Sequence, residues 1–379
     1  MERDPAAALP QVICLGEALV DRLGPPGGDP AMAPPEQLDD RLGGAPANVA
    51  CGLARLGTPV AFVGRLGRDG IGEAFARLLA ERDVNLSALQ CDGERPTRIV
   101  LVRRSATGER RFEGFAGEAL VAGQGGGGGA VFADQALAAR ELELALPPLL
   151  AGARWLQIGS IPLASAASAQ ALEQALTLAQ GSGVAVALDV NWRPTFWDAA
   201  ADPDAAPGLA TRARLQPLLE RARLLKLAAE EAAGLFGSRD PAAIAASLPQ
   251  RPAVVVTDGA AGVAWWFGGD GSESVDAGPA ALPAFQVPVV DSTGAGDAFL
   301  AGLLHCLCVE PALLADAPFW RQQAAIRFAC ACGALVCQGS GAIDPQPRAA
   351  AVEAFLAAHP CAEAVSPGWL RSGWLPGRC

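Results

Sequence analysis

The segment VVDSTGAGDAF, residues 289–299, places a turn of small residues between an apolar run and an apolar helical pattern. Glycine and alanine let backbone N–H groups come close to an anion, and the start of a helix adds partial positive charge. Asp297 stands at the mouth of that helix, where its carboxylate would repel a phosphate. The two features are compatible if the N–H groups hold a phosphoryl group while Asp297 takes a proton from the attacking hydroxyl. The segment therefore predicts a phosphotransferase.

Composition narrows the class of protein. The chain has 379 residues, 51% of them hydrophobic, and a formal net charge of −11 at pH 7. That length fits one large α/β domain, and the absence of a basic run argues against nucleic acid as a partner. Lys226 is the only lysine, and no G-x-x-x-x-G-K-S/T segment is present. Phosphate would therefore be held without a P-loop lysine.

The cysteines indicate an intracellular protein. The chain has ten cysteines and two histidines, and two C-x-C pairs, at 306/308 and 330/332, lie within apolar helical patterns. These spacings fit neither a zinc site nor a small disulfide-bonded domain, so we expect buried thiols in a reducing cytosol. Residues 1–10 lack a signal-peptide pattern, and no apolar run is long enough to cross a membrane. We expect a cytoplasmic protein without a membrane partner.

Strand and helix patterns alternate along most of the chain. Short apolar runs followed by amphipathic stretches are typical of an α/β fold, with a mostly parallel central sheet covered on both faces. The helical patterns include 43–56, 75–79, 166–179, 295–308 and 321–337. The predicted strands are residues 12–16, 60–63, 155–158, 185–188, 224–226, 254–257 and 263–266.

Other segments depart from this alternation. Residues 21–42, rich in Pro, Gly and Asp, predict a loop or an irregular excursion. Residues 97–112 predict a hairpin with its turn at 107–109, in a small sheet separate from the core. Residues 123–130 predict a flexible Gly-rich loop, and 360–379 a tail. We expect one domain over 1–379.

Polar residues follow strands or open helices at several points. Gly43 and Gly44 precede a helix that carries Asn48, which alone is more typical of a helix cap than of a ligand site. Residues 189–194 (DVNWRP) follow a strand and fit either a cleft or an ordinary turn. Residues 230–231 (EE) could hold Mg²⁺ through water, or could form a solvated helix N-terminus.

Together these motifs resemble the ribokinase-like (PfkB) family of carbohydrate kinases, over about residues 12–347. Both family signatures are present, GGAPAN at 43–48 and DSTGAGD at 291–297. The fructokinase branch is the most similar, because of GGAPAN, PTR at 96–98 and DVNWRP. The resemblance implies an α/β/α three-layer fold. It also implies a small β lid, formed by about 18–42 and 95–118, that closes on the sugar.

The resemblance assigns roles in catalysis and in binding the sugar that accepts the phosphoryl group. Asp297 would be the catalytic base. The backbone of the turn would form an anion hole from Gly294, Ala295 and Gly296. The sugar would be bound by Asp21, Gly43, Gly44, Asn48 and Arg98.

The resemblance also implies ATP and Mg²⁺ as cofactors. Residues for the nucleotide would be Asn191, Thr257, Gly259 and Cys330. Glu231 would hold Mg²⁺ through water, and Asp291 with the 339–342 loop resembles a monovalent-cation site, where K⁺ is an open alternative. Relatives often have Asn at the positions of Ala228 and Cys330, which leaves the phosphate donor open.

We expect an ATP-dependent sugar kinase that converts D-fructose to fructose 6-phosphate. The alternatives are a kinase for another small polyol, such as 2-keto-3-deoxygluconate, ribose or a nucleoside, and a non-catalytic sugar sensor or scaffold. A homodimer through the lid is a further expectation, with Ile99, Leu101 and Phe112 as its apolar face.

Overall fold

The computed structural model describes residues 9–105, 110–116, 130–268, 280–315 and 317–360. The predicted turn at 107–109, the Gly-rich segment except for residue 130, and the predicted tail from 361 onward lie outside these ranges.

The strands of the described ranges lie in three sheets. They are β1 (Val12–Leu15), β2 (Leu19–Pro26), β3 (Asp39–Gly43), β4 (Val60–Val63), β5 (Arg65–Gly67), β6 (Gln90–Asp92), β7 (Ile99–Arg104), β8 (Arg110–Phe115), β9 (Trp155–Ile158), β10 (Ala185–Asp189), β11 (Leu224–Ala228), β12 (Ala253–Thr257), β13 (Val263–Trp266) and β14 (Ala280–Leu282).

The largest sheet has the strand order β14-β13-β12-β11-β10-β9-β1-β4. The strands from β12 to β4 are parallel, and β13 and β14 are antiparallel additions at one edge. All the predicted strands belong to this sheet, so the predicted mostly parallel sheet is confirmed. The carboxyl ends of its parallel strands meet at one edge, where open α/β sheets bind ligands.

Helices cover both faces of this sheet. Alternate residues of β1 point to opposite sides: Val12 packs in the cluster that contains Leu300, and Ile13 in the cluster that contains Leu172. The α/β/α layering predicted from the sequence is therefore present. The helices are Ala45–Leu56, Gly70–Glu81, Ala139–Ala145, Pro147–Leu150, Ala166–Gly181, Pro194–Trp197, Leu209–Leu219, Ala229–Phe236, Pro241–Ala246, Ala295–Val309, Phe319–Cys337 and Ala349–Ala358.

A separate sheet, in the order β3-β2-β7-β8, contains the segments predicted to form a lid. The prediction that 21–42 is loop or irregular was wrong at both ends of that segment, because Leu19–Pro26 and Asp39–Gly43 pair as antiparallel strands. Their polar and Gly/Pro-rich composition hid them, since the buried residues of these two strands do not alternate with exposed ones. The separate small sheet predicted for 97–112 is confirmed.

Two helices start at the same end of the molecule and pack against each other, Ala45–Leu56 and Ala295–Val309. Each is preceded by a glycine with positive φ, Gly44 at 104° and Gly294 at 78°. This pairing brings the two sequence signatures together. Within the described ranges, no helix combines the length and the apolar character needed to span a bilayer.

Candidate active site

The 291–297 turn has a shape that only glycine allows at its centre. Gly294 has φ 78°, and a methyl group there would lie 2.5 Å from Cβ of Ala342. The N–H of Ala295 donates to the carbonyl of Ser292 at 3.2 Å, which closes the turn before the helix. The N–H groups in the first turn of a helix have no carbonyl partner within that helix. The turn therefore presents a helix start of the kind that suits an anion, in which the N–H of Ala295 is partly engaged.

Asn48 and Asp297 are in direct contact. The Nδ2 group of Asn48 donates to Oδ2 of Asp297 at 2.7 Å. Asn48 is buried, and within the described ranges its Oδ1 atom has no hydrogen-bond partner. The helix-cap alternative for Asn48 was wrong, because Gly44 holds the N-cap position and the amide of Asn48 reaches the neighbouring helix. Asn48 instead contacts the carboxylate of Asp297, and its Oδ1 atom is a buried acceptor.

The environment of Asp297 suits proton transfer near neutral pH. Burial, followed by the negative charge of Asp189, raises the pKa of Asp297 to about 6. The ammonium of Lys226 and the hydrogen bond from Asn48 act in the opposite direction. A general base works best when its pKa lies near the working pH.

The only lysine of the chain lies in this site, which the sequence analysis did not predict. Lys226 is buried, and its Nζ contacts both carboxylate oxygens of Asp189, at 2.8 and 3.0 Å. Burial acts to lower the pKa of Lys226, but the carboxylates of Asp189, Glu231 and Asp297 outweigh it and raise that pKa. A methyl group at Gly296 would lie 3.0 Å from Nζ. A protonated amine therefore faces the anion-binding turn. In the sequence, the indication that Lys226 belongs to a site was its position as a single lysine inside an apolar strand.

Glu231 is buried rather than solvated, so the exposed-helix alternative was wrong for it. One of its oxygens accepts the N–H of Trp192 at 2.6 Å, and the other accepts the N–H of Ala228 at 2.8 Å. Burial and the negative charge of Asp189 raise the pKa of Glu231. Each oxygen retains one acceptor site, which suits an aquated Mg²⁺ held through water. Among the described residues, no group of three or more His, Cys, Asp or Glu side chains could bind a metal ion directly.

A large cavity, of about 490 Å³, lies between the small sheet and the carboxyl edge of the central sheet. Lys226, Arg193 and the side chain of Glu17 also border it. Gly43 is not part of the wall; a methyl group at Gly43 would lie 3.5 Å from an Asp21 oxygen. The predicted site residues that line this cavity are Asp21, Gly44, Asn48, Asn191, Gly294, Gly296 and Asp297.

Glu17 is a second residue that the sequence analysis left without a role. It follows β1, is 2% exposed, and one of its oxygens accepts the N–H of Ala45 at 3.1 Å. Within the described ranges, the other oxygen has no hydrogen-bond partner. Burial raises the pKa of Glu17 to about 8. Its position at a strand end was the only signal in the sequence.

Arg98 lies outside the large cavity. Its guanidinium pairs with Asp134 at 3.0 Å and lies within about 5 Å of the ring centroids of Phe115, Phe132 and Phe196. Arg98 is buried beside a small cavity of about 10 Å³ that it shares with Glu17. The structure places Arg98 as a support for Phe196, which does border the large cavity. A direct contact with sugar stays a prediction.

A second cavity, of about 440 Å³, lies on the other side of the turn. Its walls include Thr257, Gly259 and Cys330, which were predicted to bind the nucleotide. The two cavities share Ser292 and Gly296. The turn therefore stands between two chambers, an arrangement that suits a reaction between two bound molecules.

Asp291 is buried beneath the turn and borders neither cavity. One oxygen accepts the N–H of Thr293 at 3.0 Å, and the other accepts the N–H of Gly341 at 2.9 Å. Asp291 therefore joins the turn to the loop that follows the helix Phe319–Cys337.

The chain is similar to known proteins along most of its length. The model of the pfkB family carbohydrate kinases matches residues 9–349. A fructokinase from Klebsiella pneumoniae is 34% identical over 339 residues, which cover 88% of this chain and 95% of that protein.

Solved structures with the same fold include two sugar kinases. Fructokinase with bound ATP from Xylella fastidiosa is 28% identical with a TM-score of 0.72, covering 92% of this chain and 98% of that chain. Fructokinase from Vibrio cholerae O395, in its fructose, ADP and calcium ion bound form, is 29% identical with a TM-score of 0.69, covering 92% of this chain and 99% of that chain.

Proposed function

Because the chain belongs to the pfkB family of carbohydrate kinases and is a sugar phosphotransferase, we propose that it transfers a phosphoryl group from ATP to D-fructose, giving fructose 6-phosphate. The observation that carries the proposal is the contact between Asp297 and Asn48, which border the large cavity beside the turn that both cavities share. One side chain there can accept a proton, and the other can bind a hydroxyl group.

The large cavity suits a polyol. Asn48 and Glu17 border it, and the Oδ1 atom of Asn48 and one oxygen of Glu17 are buried without a hydrogen-bond partner within the described ranges. Buried polar atoms without partners are costly, and a sugar supplies hydroxyl groups that would satisfy them. Asp21 borders the same cavity from the small sheet. We assign this chamber to the sugar.

The proton-transfer step would depend on Asp297. Its carboxylate, oriented by Asn48, would take the proton of the attacking hydroxyl, while the helix start at Gly294–Gly296 stabilises negative charge on the transferred group. Lys226 faces the same turn and would add positive charge there. ATP supplies the phosphoryl group when bound, and Mg²⁺ neutralises charge on the phosphates.

The apolar second cavity would take the nucleotide base. Thr257, Gly259 and Cys330 line it, and Asn191 stands on the other side of the turn, where it would meet the phosphates. Glu231 would hold Mg²⁺ through water, because each of its oxygens has one acceptor site left beside the N–H that it binds. Closure of the small sheet over the sugar would exclude water and limit ATP hydrolysis.

Fructose is favoured by the relatives. The Klebsiella protein is named fructokinase, and the Vibrio structure is described as having fructose bound. One observation favours a second candidate: Arg111 and Arg193 border the sugar cavity and could pair with a carboxylate. An acidic sugar such as 2-keto-3-deoxygluconate is therefore the alternative substrate. Ribose and nucleosides stay open without a specific contact in their favour.

A substrate panel tests the proposal. Release of ADP is measured with fructose, 2-keto-3-deoxygluconate, ribose and adenosine, and the product is identified by mass and by the position of its phosphate. We expect the highest kcat/KM with fructose and phosphate on the 6-hydroxyl. Turnover of the acidic sugar alone would support the alternative, and no sugar-dependent ADP release would contradict both.

Assembly and location remain predictions. Of the residues proposed for a dimer face, Leu101 is buried within one chain and Phe112 borders the sugar cavity, which leaves Ile99 as the most available. Light scattering after size exclusion would give the mass in solution, and a monomer at micromolar concentration would contradict the dimer. Cytoplasmic location would be checked by fractionation.

A further inference from the structure

Arg41 connects the small sheet to the anion-binding turn. It lies on β3, and its Nε and Nη2 groups donate to one oxygen of Asp39, at 3.0 and 2.6 Å. Its Nη1 group points the other way, donating to Oγ of Ser340 at 2.5 Å and lying 3.4 Å from Oδ2 of Asp291. The guanidinium therefore bridges the small sheet and the residues beneath the turn.

The carboxylate of Asp291 is fully engaged by donors. Its Oδ1 atom accepts the N–H of Thr293 at 3.0 Å and the hydroxyl of Thr293 at 2.7 Å. Its Oδ2 atom accepts the N–H of Gly341 at 2.9 Å and faces the guanidinium of Arg41. A carboxylate offers roughly four lone-pair positions. Those of Asp291 are all directed at protein donors.

The family resemblance implies a monovalent cation at Asp291, and this arrangement does not fit one. A cation bound directly to that carboxylate would have to displace one of its four donors. It would also meet the positive charge of Arg41, which does not deprotonate in proteins. The guanidinium, which also pairs with Asp39, already places a positive charge 3.4 Å from this buried carboxylate.

Asp291 is connected to Gly294 in the turn through a short chain of contacts. Asp291 holds Gly341, and the next residue, Ala342, packs against Gly294 so closely that a methyl group at Gly294 would lie 2.5 Å from it. Any displacement of this loop would therefore move the backbone proposed to stabilise the transferred phosphoryl group.

We propose that Arg41 is a positioning residue that supplies the positive charge at Asp291, so that phosphoryl transfer by this chain does not depend on K⁺. Because Arg41 lies on β3, the same contact ties the small sheet to the turn. The proposal rests on the kinase activity proposed above, but not on which sugar is the substrate.

The test compares the wild type with Arg41→Gln, Arg41→Lys and a matched control, Arg22→Gln. Arg22 lies on the neighbouring strand β2 and pairs with Asp40 at 2.6 Å, in a contact confined to the small sheet. Turnover is measured with whichever sugar the panel identifies, in KCl and in tetramethylammonium chloride at equal ionic strength. Thermal unfolding is measured in the same two salts without substrate.

We expect wild type and Arg22→Gln to change kcat by less than about twofold between the two salts. Without K⁺, Arg41→Gln should lose about tenfold in kcat, the scale of one hydrogen bond to a charged group. Its loss should be relieved severalfold by KCl, because removal of the guanidinium opens an acceptor position on Asp291. KCl should also raise its Tm by on the order of 1–2 °C through binding to the folded state. Arg41→Lys should retain most K⁺-independent turnover.

Several results would overturn the proposal. These are a wild type that requires K⁺, an Arg41→Gln variant with undiminished kcat, or a loss that KCl does not relieve. A wild type that turns over no sugar would instead contradict the proposed function. The unfolding comparison needs no sugar, so it still tests the role of Arg41 in that case: a wild-type Tm raised specifically by KCl would overturn that role.

Discussion

The side-chain amide of Asn48 donates a 2.7 Å hydrogen bond to the carboxylate of Asp297, 249 positions later in the chain. The contact joins the two sequence signatures at the wall of the large cavity. It orients the proposed base, and it lowers the pKa of Asp297 against the effect of burial.

The first prediction concerns pH. The active form of a general base is the deprotonated one, and burial, with the charge of Asp189, raises the pKa of Asp297 to about 6. We therefore expect kcat/KM to be constant above that value and to fall by about tenfold per pH unit below it. Steady-state kinetics between pH 4.5 and 8, with a check that the protein stays folded, would measure this fall in kcat/KM. A flat profile through pH 6 in the folded enzyme would argue against Asp297 as the base.

Asn48→Ala should move the acidic fall in kcat/KM to higher pH. The amide of Asn48 stabilises the ionised form of Asp297, so its removal raises the pKa of the carboxyl group. The sugar should also bind more weakly, because one hydroxyl partner is lost. Asn85→Ala is the control, since the side chain of Asn85 lies away from the cavity and accepts the N–H of Ser87 in an exposed turn. Identical pH profiles for the two variants would contradict the proposed coupling.

Lys226→Met should reduce both stability and turnover. It leaves Asp189 as an unpaired buried carboxylate, which costs about 3–5 kcal/mol in the free energy of unfolding. The pKa of Asp297 should also rise, because the ammonium lowers it. Denaturant unfolding and kinetics would measure the two effects.

A double variant separates the two effects of Lys226. In Lys226→Met/Asp189→Leu, both charges are removed, and an apolar pair in place of a buried ion pair is often neutral for stability. We expect stability to recover while kcat stays low, because no ammonium faces Gly296. Recovery of turnover along with stability would show that Lys226 acts only through folding.

Gly294→Ala should damage the turn, and Gly57→Ala is its control. Both glycines have positive φ, at 78° and 90°, but a methyl group at Gly57 meets open space, whereas one at Gly294 lies 2.5 Å from Cβ of Ala342. Backbone strain alone costs on the order of 1–2 kcal/mol at each position. We expect similar strain in both variants, with a further loss of stability and most of kcat only in Gly294→Ala. Equal kcat values would contradict a tight fit of the turn.

The sequence predicted those features of the fold and site that depend on local patterns of residues. The central strands follow from short apolar runs, and the turn around Asp297 follows from small residues before a helical pattern. The contact between Lys226 and Asp189 depends instead on sheet register, in which these two residues are paired across β10 and β11. Nothing local in the sequence specifies that register.

The surroundings of two arginines could not be predicted from the sequence either. Arg98 follows PT in a family-like motif, which suggested a sugar contact, yet tertiary packing surrounds it with three phenylalanine rings. Arg41 lay in a segment predicted to be irregular. Its contact with Asp291, 250 positions away, arises only when the small sheet is placed beside the turn.

Asp297→Asn tests the central claim most directly. The substitution keeps the size of the side chain and the possibility of a contact with Asn48 but removes the proton acceptor. Sugar affinity is measured by calorimetry and kcat by ADP release, at pH 7.5. We predict a dissociation constant for the sugar within about threefold of wild type and a loss of about 10²–10⁴ in kcat, the range for general base catalysis. A kcat within twofold of the wild-type value would contradict the assignment of Asp297 as the catalytic base.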